Sequence, residues 1–171
     1  MQKRQHLLIE AFARIASRFP DWEIDLYGVE SGGTSYTHKL ENLISRYHLE
    51  NQVFLKGTTK QMEEVYQNAD LIAFPSAFEG FSMAQIEGMS HGLPIIAFEN
   101  SPGVVDYVRS GEDGILVKPT VEAFSDGLAE LMGDQEKRAQ FGETARIHMK
   151  PYELGTVMDQ WEKLLTEAAG K

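Results

Sequence analysis

The chain has 171 residues, a length typical of one domain with a single hydrophobic core. It has no cysteine, which excludes disulfide bonds and thiolate metal sites. Its 26 acidic residues outnumber 16 Lys and Arg, and the net charge of −10 argues against a nucleic-acid-binding surface. No signal peptide is evident and no apolar run approaches the roughly 20 residues of a membrane-spanning helix, so we expect a cytoplasmic protein without a membrane span.

Helix-like and strand-like patterns alternate along the chain. The first is an amphipathic helix over residues 7–15, and apolar runs then predict strands at 22–27, 53–55, 70–74, 94–98 and 114–117. Residues 28–35 are rich in Gly and Ser and predict a loop, and helical patterns cover 36–47, 60–67 and 83–91. Further helices are expected to open at Ser101-Pro102, after Thr120 and after Asp134, and Thr58, Thr120 and Asp134 are expected to act as helix caps.

The order of these elements predicts the fold class. Strands that alternate with helices at short spacing are typical of an α/β fold with a doubly wound parallel sheet. The chain opens on a helix, whereas such a sheet normally begins with a strand, so we expect the first strand to lie upstream of Met1 in a longer protein. The last segment has an apolar stripe, which predicts a helix over about 153–169 that docks on its own domain.

Two glutamates surround the start of the helix that follows the strand at 70–74. Glu79 lies on the turn and Glu87 on the second helical turn, while Ser82 and Gln85 form a capping-box pattern for a helix start near residue 83. In an open α/β sheet, ligands bind at the carboxyl ends of the strands, and free amides at a helix start favour phosphates. Ionised carboxylates accept hydrogen bonds from sugar hydroxyls. This arrangement therefore suits a ribose or hexose whose phosphates the amides hold.

Four stretches of the chain together carry a resemblance to a known family: residues 3–9, 79–87, 92–97 and 111–117. They resemble the C-terminal, donor-binding domain of the retaining family 4 (group 1) glycosyltransferases, and the similarity spans nearly the whole chain. The resemblance implies a Rossmann-like domain of a two-domain GT-B enzyme. Residues 1–171 would form the domain that binds a nucleotide sugar, and an N-terminal domain outside this chain would bind most of the acceptor.

The resemblance also implies roles for individual residues. Glu79 would contact hydroxyls of the donor sugar, Glu87 would accept a hydrogen bond from the ribose, and Lys3 would neutralise the leaving diphosphate. Glu79 and Lys3 are therefore the predicted catalytic residues. The other predicted donor-binding residues are Gly80, Phe81, Ser82 and Met83 at the helix start, Gly28 near the phosphates, and Lys56 and Gly57 at the nucleobase. No metal ion or cofactor is expected beyond the substrate, a UDP- or GDP-linked sugar.

The implied activity is transfer of the sugar to an acceptor with retention of the anomeric configuration, as in polysaccharide biosynthesis. Peripheral membrane association would come through the N-terminal domain, and the isolated fragment is expected to be inactive because half of the cleft lies elsewhere. Two alternatives stay open: a sugar-nucleotide-binding module without transfer chemistry, and another GT-B enzyme such as a sugar-nucleotide epimerase.

Overall fold

Short parallel strands and the helices between them build the fold in the computed structural model, which describes residues 2–28 and 34–170. The strands are β1 (Ile24–Tyr27), β2 (Val53–Gly57), β3 (Ile72–Phe74), β4 (Ile95–Phe98) and β5 (Gly114–Val117). The α-helices are α1 (Gln5–Ala13), α2 (Thr34–Arg46), α3 (Met62–Gln67), α4 (Met83–Ser90), α5 (Val121–Gly133), α6 (Gln135–Met149) and α7 (Leu154–Ala169). The predicted alternation of strands and helices is confirmed, while most of the loop predicted at 28–35 lies outside the described residues.

The doubly wound arrangement is visible in the core around β4, whose four residues are all buried. Ile96 and Phe98 pack in one apolar cluster with residues of α1 and α5. Ile95 and Ala97 point the other way, into a second cluster with residues of α4 and α6. Because successive side chains of a strand point to opposite faces, β4 needs apolar residues at every position. The predicted α/β fold class is therefore confirmed.

The strands form two separate parallel sheets, β1–β2 and β3–β4–β5. Ile24 lies opposite Val53, and Ile72 lies opposite Ile95. Within residues 2–28 and 34–170, β1 pairs only with β2, and β3 pairs only with β4. The other edges of β1 and β3 line a cleft of about 1760 Å³, which also contacts apolar side chains of the flanking helices such as Phe12.

Of the caps predicted at Thr58, Thr120 and Asp134, the last two are present. Thr120 Oγ1 accepts a hydrogen bond from the Ala123 amide at 3.1 Å, and Asp134 Oδ1 accepts one from the Lys137 amide at 2.8 Å. Each side chain satisfies an amide that has no partner within its helix. The cap predicted at Thr58 is wrong, because α3 begins at Met62 and the 58–61 segment forms a turn around Thr59 instead.

The helix predicted to open at Ser101-Pro102 begins later. The Ser101 carbonyl oxygen accepts hydrogen bonds from the amides of Val104 and Val105, both at 3.1 Å. This bonding closes a turn, so the short 3-10 helix starts at Val105 and ends at Tyr107. Pro102 therefore lies in the turn before the helix rather than at its first position.

The predicted docking of the last helix on its own domain is wrong. Helix α7 is present at Leu154–Ala169, but none of its residues is buried. The side chains of Leu154, Met158, Trp161 and Leu165 are all more than half exposed. The two faces of the β3–β4–β5 sheet are already covered by other helices, and α7 follows a short 3-10 helix at Lys150–Tyr152, which contains Pro151. No helix in the described part of the chain is both long and apolar enough to cross a membrane.

A buried carboxylate joins the start of β5 to α6. Asp113 is completely buried, and its Oδ2 lies 2.6 Å from Nδ1 of His148. Its Oδ1 accepts a hydrogen bond from the Arg109 amide at 2.8 Å. Both carboxylate oxygens are therefore satisfied, which the burial of an acidic side chain requires.

Candidate functional site

The predicted site residues collect at the carboxyl ends of the parallel strands. Residues 2–5 lie across this edge of the sheets and contact two strand ends. The Gln2 carbonyl oxygen accepts a hydrogen bond from the Ala77 amide at 2.8 Å, just after β3. Gln5 Nε2 donates to the carbonyl oxygen of Tyr27, the last residue of β1, at 3.5 Å. The N-terminal segment thus spans the carboxyl-end opening of the cleft between the two sheets.

The two predicted catalytic residues, Glu79 and Lys3, form an ion pair. Lys3 Nζ lies 2.9 Å and 3.0 Å from the two carboxylate oxygens of Glu79. Gln2 Nε2 adds a weaker contact of 3.4 Å to Glu79 Oε2 and donates to the Phe78 carbonyl oxygen at 3.0 Å. The Glu79 side chain is only 7% exposed, whereas that of Lys3 is 56% exposed. The ammonium group therefore compensates the carboxylate while still facing solvent.

The turn after Glu79 presents free backbone amides. Glu79 itself donates its amide to the Pro102 carbonyl oxygen at 2.8 Å. The amides of Gly80, Phe81 and Ser82 donate to no acceptor within residues 2–28 and 34–170. Met83 differs, because its amide donates to the Phe81 carbonyl oxygen at 2.9 Å. Three consecutive free amides at a helix start form a favourable environment for an anionic group.

The capping box predicted from Ser82 and Gln85 is wrong, although the helix starts at Met83 as expected. Ser82 makes no side-chain cap, and its Oγ is buried without a partner in the described part of the chain. The Gln85 side chain is fully buried, and its Nε2 donates to the Val104 carbonyl oxygen at 3.0 Å. The contact with Val104 orients the Gln85 carboxamide through its Nε2, and Oε1, the atom that a capping box would use to accept from the Ser82 amide, makes no such bond.

Glu87 is held by a tyrosine that the sequence did not identify. The Tyr66 hydroxyl lies 3.2 Å from Glu87 Oε2 and 3.3 Å from the Ala84 carbonyl oxygen. Burial, followed by the charge of Glu87, raises the pKa of Tyr66 above its ordinary value. The ring also packs on His91, with 5.3 Å between ring centroids. These partners lie 18 to 25 residues from Tyr66 in the sequence, so no local spacing could have revealed them.

Gly28, Lys56 and Gly57 lie together at the ends of β1 and β2. The Gly28 amide donates to the Gly57 carbonyl oxygen at 2.8 Å. Lys56 Nζ lies 3.3 Å from Asp25 Oδ1 and 5.0 Å from the centre of the Phe54 ring. The structure therefore brings the two glycines together and holds the lysine against a strand carboxylate.

In the described ranges, no group of three or more His, Asp or Glu side chains is placed to hold a metal ion.

Comparison with known proteins identifies the family. Residues 1–148 match the sequence profile of the glycosyl transferases group 1. The match covers most of the chain, so this protein belongs to the group 1 glycosyltransferase family.

Individual proteins are also similar to this chain. The chain is 32% identical to an exopolysaccharide phosphotransferase of Streptomyces coelicolor, over 95% of this chain and 17% of that protein. It is 31% identical to the GtfA subunit of a UDP-N-acetylglucosamine–peptide N-acetylglucosaminyltransferase of Streptococcus parasanguinis, over 98% and 34%. The structure of Anabaena HepE in complex with UDP and glucose matches with a TM-score of 0.87 and 27% identity, over 96% and 45%. The chain thus spans less than half the length of each of these proteins.

The buried tyrosine makes stability depend on pH. Because the pKa of Tyr66 is raised in the folded state, the unfolded chain loses this proton first as pH rises above about 10. The free energy of unfolding should therefore fall above that pH, by up to about 1.4 kcal/mol per pH unit from this group. Tyr66→Phe should remove this part of the slope in urea unfolding between about pH 9 and 11.

Tyr47→Phe, at a more exposed tyrosine, is the matched control. If Tyr66→Phe leaves the pH dependence of the free energy of unfolding unchanged, burial and the charge of Glu87 do not raise the pKa of Tyr66.

Proposed function

We propose that this chain is the donor-binding domain of a retaining glycosyltransferase and that its donor is a UDP-linked sugar. The observation that carries the proposal is the grouping of one shielded carboxylate, one exposed ammonium group and three free amides at the carboxyl edge of the sheets. Such a group offers acceptors for hydroxyls and donors for phosphates within one small region. Membership of the group 1 family supports the same function.

Glu79 would hold the sugar and Lys3 the diphosphate. A carboxylate accepts hydrogen bonds only, so Glu79 suits sugar hydroxyls. Lys3 is a flexible point charge that is more than half exposed, so it can contact a diphosphate while staying near Glu79. The amides of Gly80, Phe81 and Ser82 would stabilise the negative charge that develops as the diphosphate leaves.

Glu87 would bind the ribose, and Gly28, Lys56 and Gly57 would lie near the phosphates and base. Tyr66 contacts only one of the two Glu87 carboxylate oxygens, which leaves the other to accept from a ribose hydroxyl. Two related structures support uridine as the base: HepE of Anabaena with UDP and glucose, and TarM of S. aureus with UDP, at 27% and 26% identity.

Transfer with retention would proceed without a covalent intermediate on Glu79. Both of its oxygens contact Lys3, which lowers the nucleophilicity of the carboxylate. The bond from the anomeric carbon to the diphosphate oxygen would break as the acceptor oxygen bonds to that carbon from the same face. The acceptor proton would pass to the leaving phosphate oxygen. The acceptor itself would bind mainly to a further domain, as the partial coverage of the relatives suggests.

The cleft between β1 and β3 supports a further part of the proposal, a strand upstream of residue 1 that joins the two sheets. Residues 2–5 lie at the carboxyl ends of both strands, so a strand leading into them would run parallel to both neighbours. The edges of β1 and β3 that face the cleft would supply its hydrogen-bond partners. This strand would also hold Lys3 at the site.

Calorimetric titration of the chain with UDP, GDP and ADP tests the choice of base. We expect UDP to bind selectively, and UDP-glucose to bind more tightly than UDP because Glu79 adds hydrogen bonds to the sugar. Glu79→Gln should lower the affinity for UDP-glucose by about 10-fold and leave that for UDP unchanged. The exposed Glu112→Gln is the control. Preferential binding of GDP or ADP would contradict the assignment of the base.

In a full-length enzyme, Glu79→Gln should lower turnover by about 10- to 100-fold. An unchanged turnover would rule out the role of Glu79 at the sugar.

Hydrogen exchange tests the upstream strand. Ile24 and Ile72 donate their amides to Gln52 and Pro94, so the alternating amides of Asp25 and Ala73 face the cleft. These two amides should exchange quickly in residues 1–171 and become protected in a longer gene product that contains the strand. The amides of Leu26 and Phe74, which face β2 and β4, are internal controls. Fast exchange of Asp25 and Ala73 in the longer protein would contradict the proposal.

A further inference from the structure

We infer that the turn at residues 101–106 (the 101–106 turn) positions Glu79, and that Gly103 and Gln85 are the positioning residues. The inference rests on the proposed function only in assigning Glu79 to the donor sugar. Neither residue would touch the substrate.

The 101–106 turn contacts the backbone of the Glu79 turn directly. The Glu79 amide donates to the Pro102 carbonyl oxygen at 2.8 Å, across 23 residues of sequence. Gly103 has a left-handed backbone with a φ of 77°. A Cβ placed on Gly103 would overlap the carbonyl oxygens of Glu79 and Gly80. Only glycine therefore allows the two backbones to approach this closely.

Other contacts connect the 101–106 turn to α4 and the residues before it. The Gly103 amide donates to Asp106 Oδ2 at 3.2 Å, which fixes the left-handed residue from within the turn. Gln85 Nε2 donates to the Val104 carbonyl oxygen at 3.0 Å from the buried face of α4. Next to the turn, the ring of Phe81 packs edge-on against that of Tyr107, with 5.7 Å between the ring centroids. The 101–106 turn thus contacts Glu79 and Gln85, which lie on either side of the free amides in the sequence.

Three polar side-chain atoms are buried where α4 meets the 101–106 turn. Ser82 Oγ, Gln85 Oε1 and Ser101 Oγ are buried without a hydrogen-bond partner in the described part of the chain. Ser82 directly precedes α4, Gln85 lies within α4, and Ser101 begins the 101–106 turn. A junction selected for stability alone would favour apolar side chains at such positions.

Glu79 is consequently fixed by two independent sets of contacts. Lys3 and Gln2 hold its carboxylate, whereas Pro102 and Gly103 fix its backbone. The overlapped carbonyl oxygens belong to the same peptide groups as the amides of Gly80 and Phe81, so displacement of this backbone would move Glu79 and both amides relative to Lys3 and the ends of β1 and β2. A sugar held by Glu79 and a diphosphate held by these amides and by Lys3 would then no longer fit the site together, so the affinity for the nucleotide sugar would fall.

The test compares Gly103→Ala with Gly111→Ala. Both glycines have left-handed backbones, with φ of 77° and 87°, so alanine brings a similar conformational strain at each. A Cβ on Gly111 would meet no atom within 4 Å, whereas one on Gly103 would overlap the Glu79 turn. Gly111→Ala therefore controls for backbone strain without the displacement of Glu79.

Two readouts separate this inference from the proposed function. In Gly103→Ala, the Glu79 amide should exchange about tenfold faster than in the unchanged protein, the effect of losing one hydrogen bond, while amides of β4 keep their rates. In calorimetry, UDP-glucose should lose about tenfold or more in affinity, and UDP should lose affinity as well, because the amides of Gly80 and Phe81 move with the displaced peptide groups, while Gly111→Ala should leave both affinities within about twofold. Gln85→Met, which keeps the volume and removes the hydrogen bond to Val104, should shift both readouts in the same direction.

Unchanged exchange of the Glu79 amide in Gly103→Ala would overturn the inference, whether or not the chain binds nucleotides. Equal effects of Gly103→Ala and Gly111→Ala would also overturn it, because strain rather than contact would then be the cause. If Gly103→Ala does not fold, unchanged Glu79 exchange and sugar affinity in Gln85→Met would overturn the inference by themselves. Absence of UDP binding to the unchanged chain would count against the proposed function alone, since amide exchange needs no ligand.

Discussion

A carboxylate that is buried at a sheet edge loses its hydrating water molecules. A cation and hydrogen-bond donors must take the place of that water. At Glu79 this is achieved by Lys3, which contacts both carboxylate oxygens, and by Gln2. The backbone of Glu79 is bonded to Pro102 at the same time. The N-terminal segment, the end of β3, the start of α4 and the 101–106 turn therefore meet at one side chain. The geometry of the candidate site depends on this contact more than on any other.

Features that depend on neighbouring residues could be predicted from the sequence. Thr120 and Asp134 cap their helices through amides three residues away, so the local pattern determines the contact. The strand at β4 follows from an unbroken apolar run, because both faces of a central parallel strand are buried. The position of Glu79 at the carboxyl end of a strand follows from the order of elements, and the family resemblance then places Lys3 near it.

Features that depend on distant residues could not be predicted in the same way. Ser82 and Gln85 form a capping box only if the Gln85 side chain turns back to the Ser82 amide, and the contact of Gln85 Nε2 with the Val104 carbonyl oxygen orients it elsewhere. Tyr66 contacts Glu87 and His91 across long separations, with no pattern that marks it as part of the site. The apolar stripe of α7 correctly predicted a helix, but periodicity alone cannot say which surface an apolar face will contact.

We propose that the carboxyl edge of β1, β2 and β3 and the start of α4 form one site for a nucleotide sugar. Mapping of amide chemical shifts by NMR during titration with UDP-glucose tests this claim most directly. Saturable shifts should concentrate at Gly28, Gly57, Gly80 and Phe81, with little change along α7. Saturable shifts centred on α7 or on the outer edge of β5, with Gly80 and Phe81 unaffected, would contradict it.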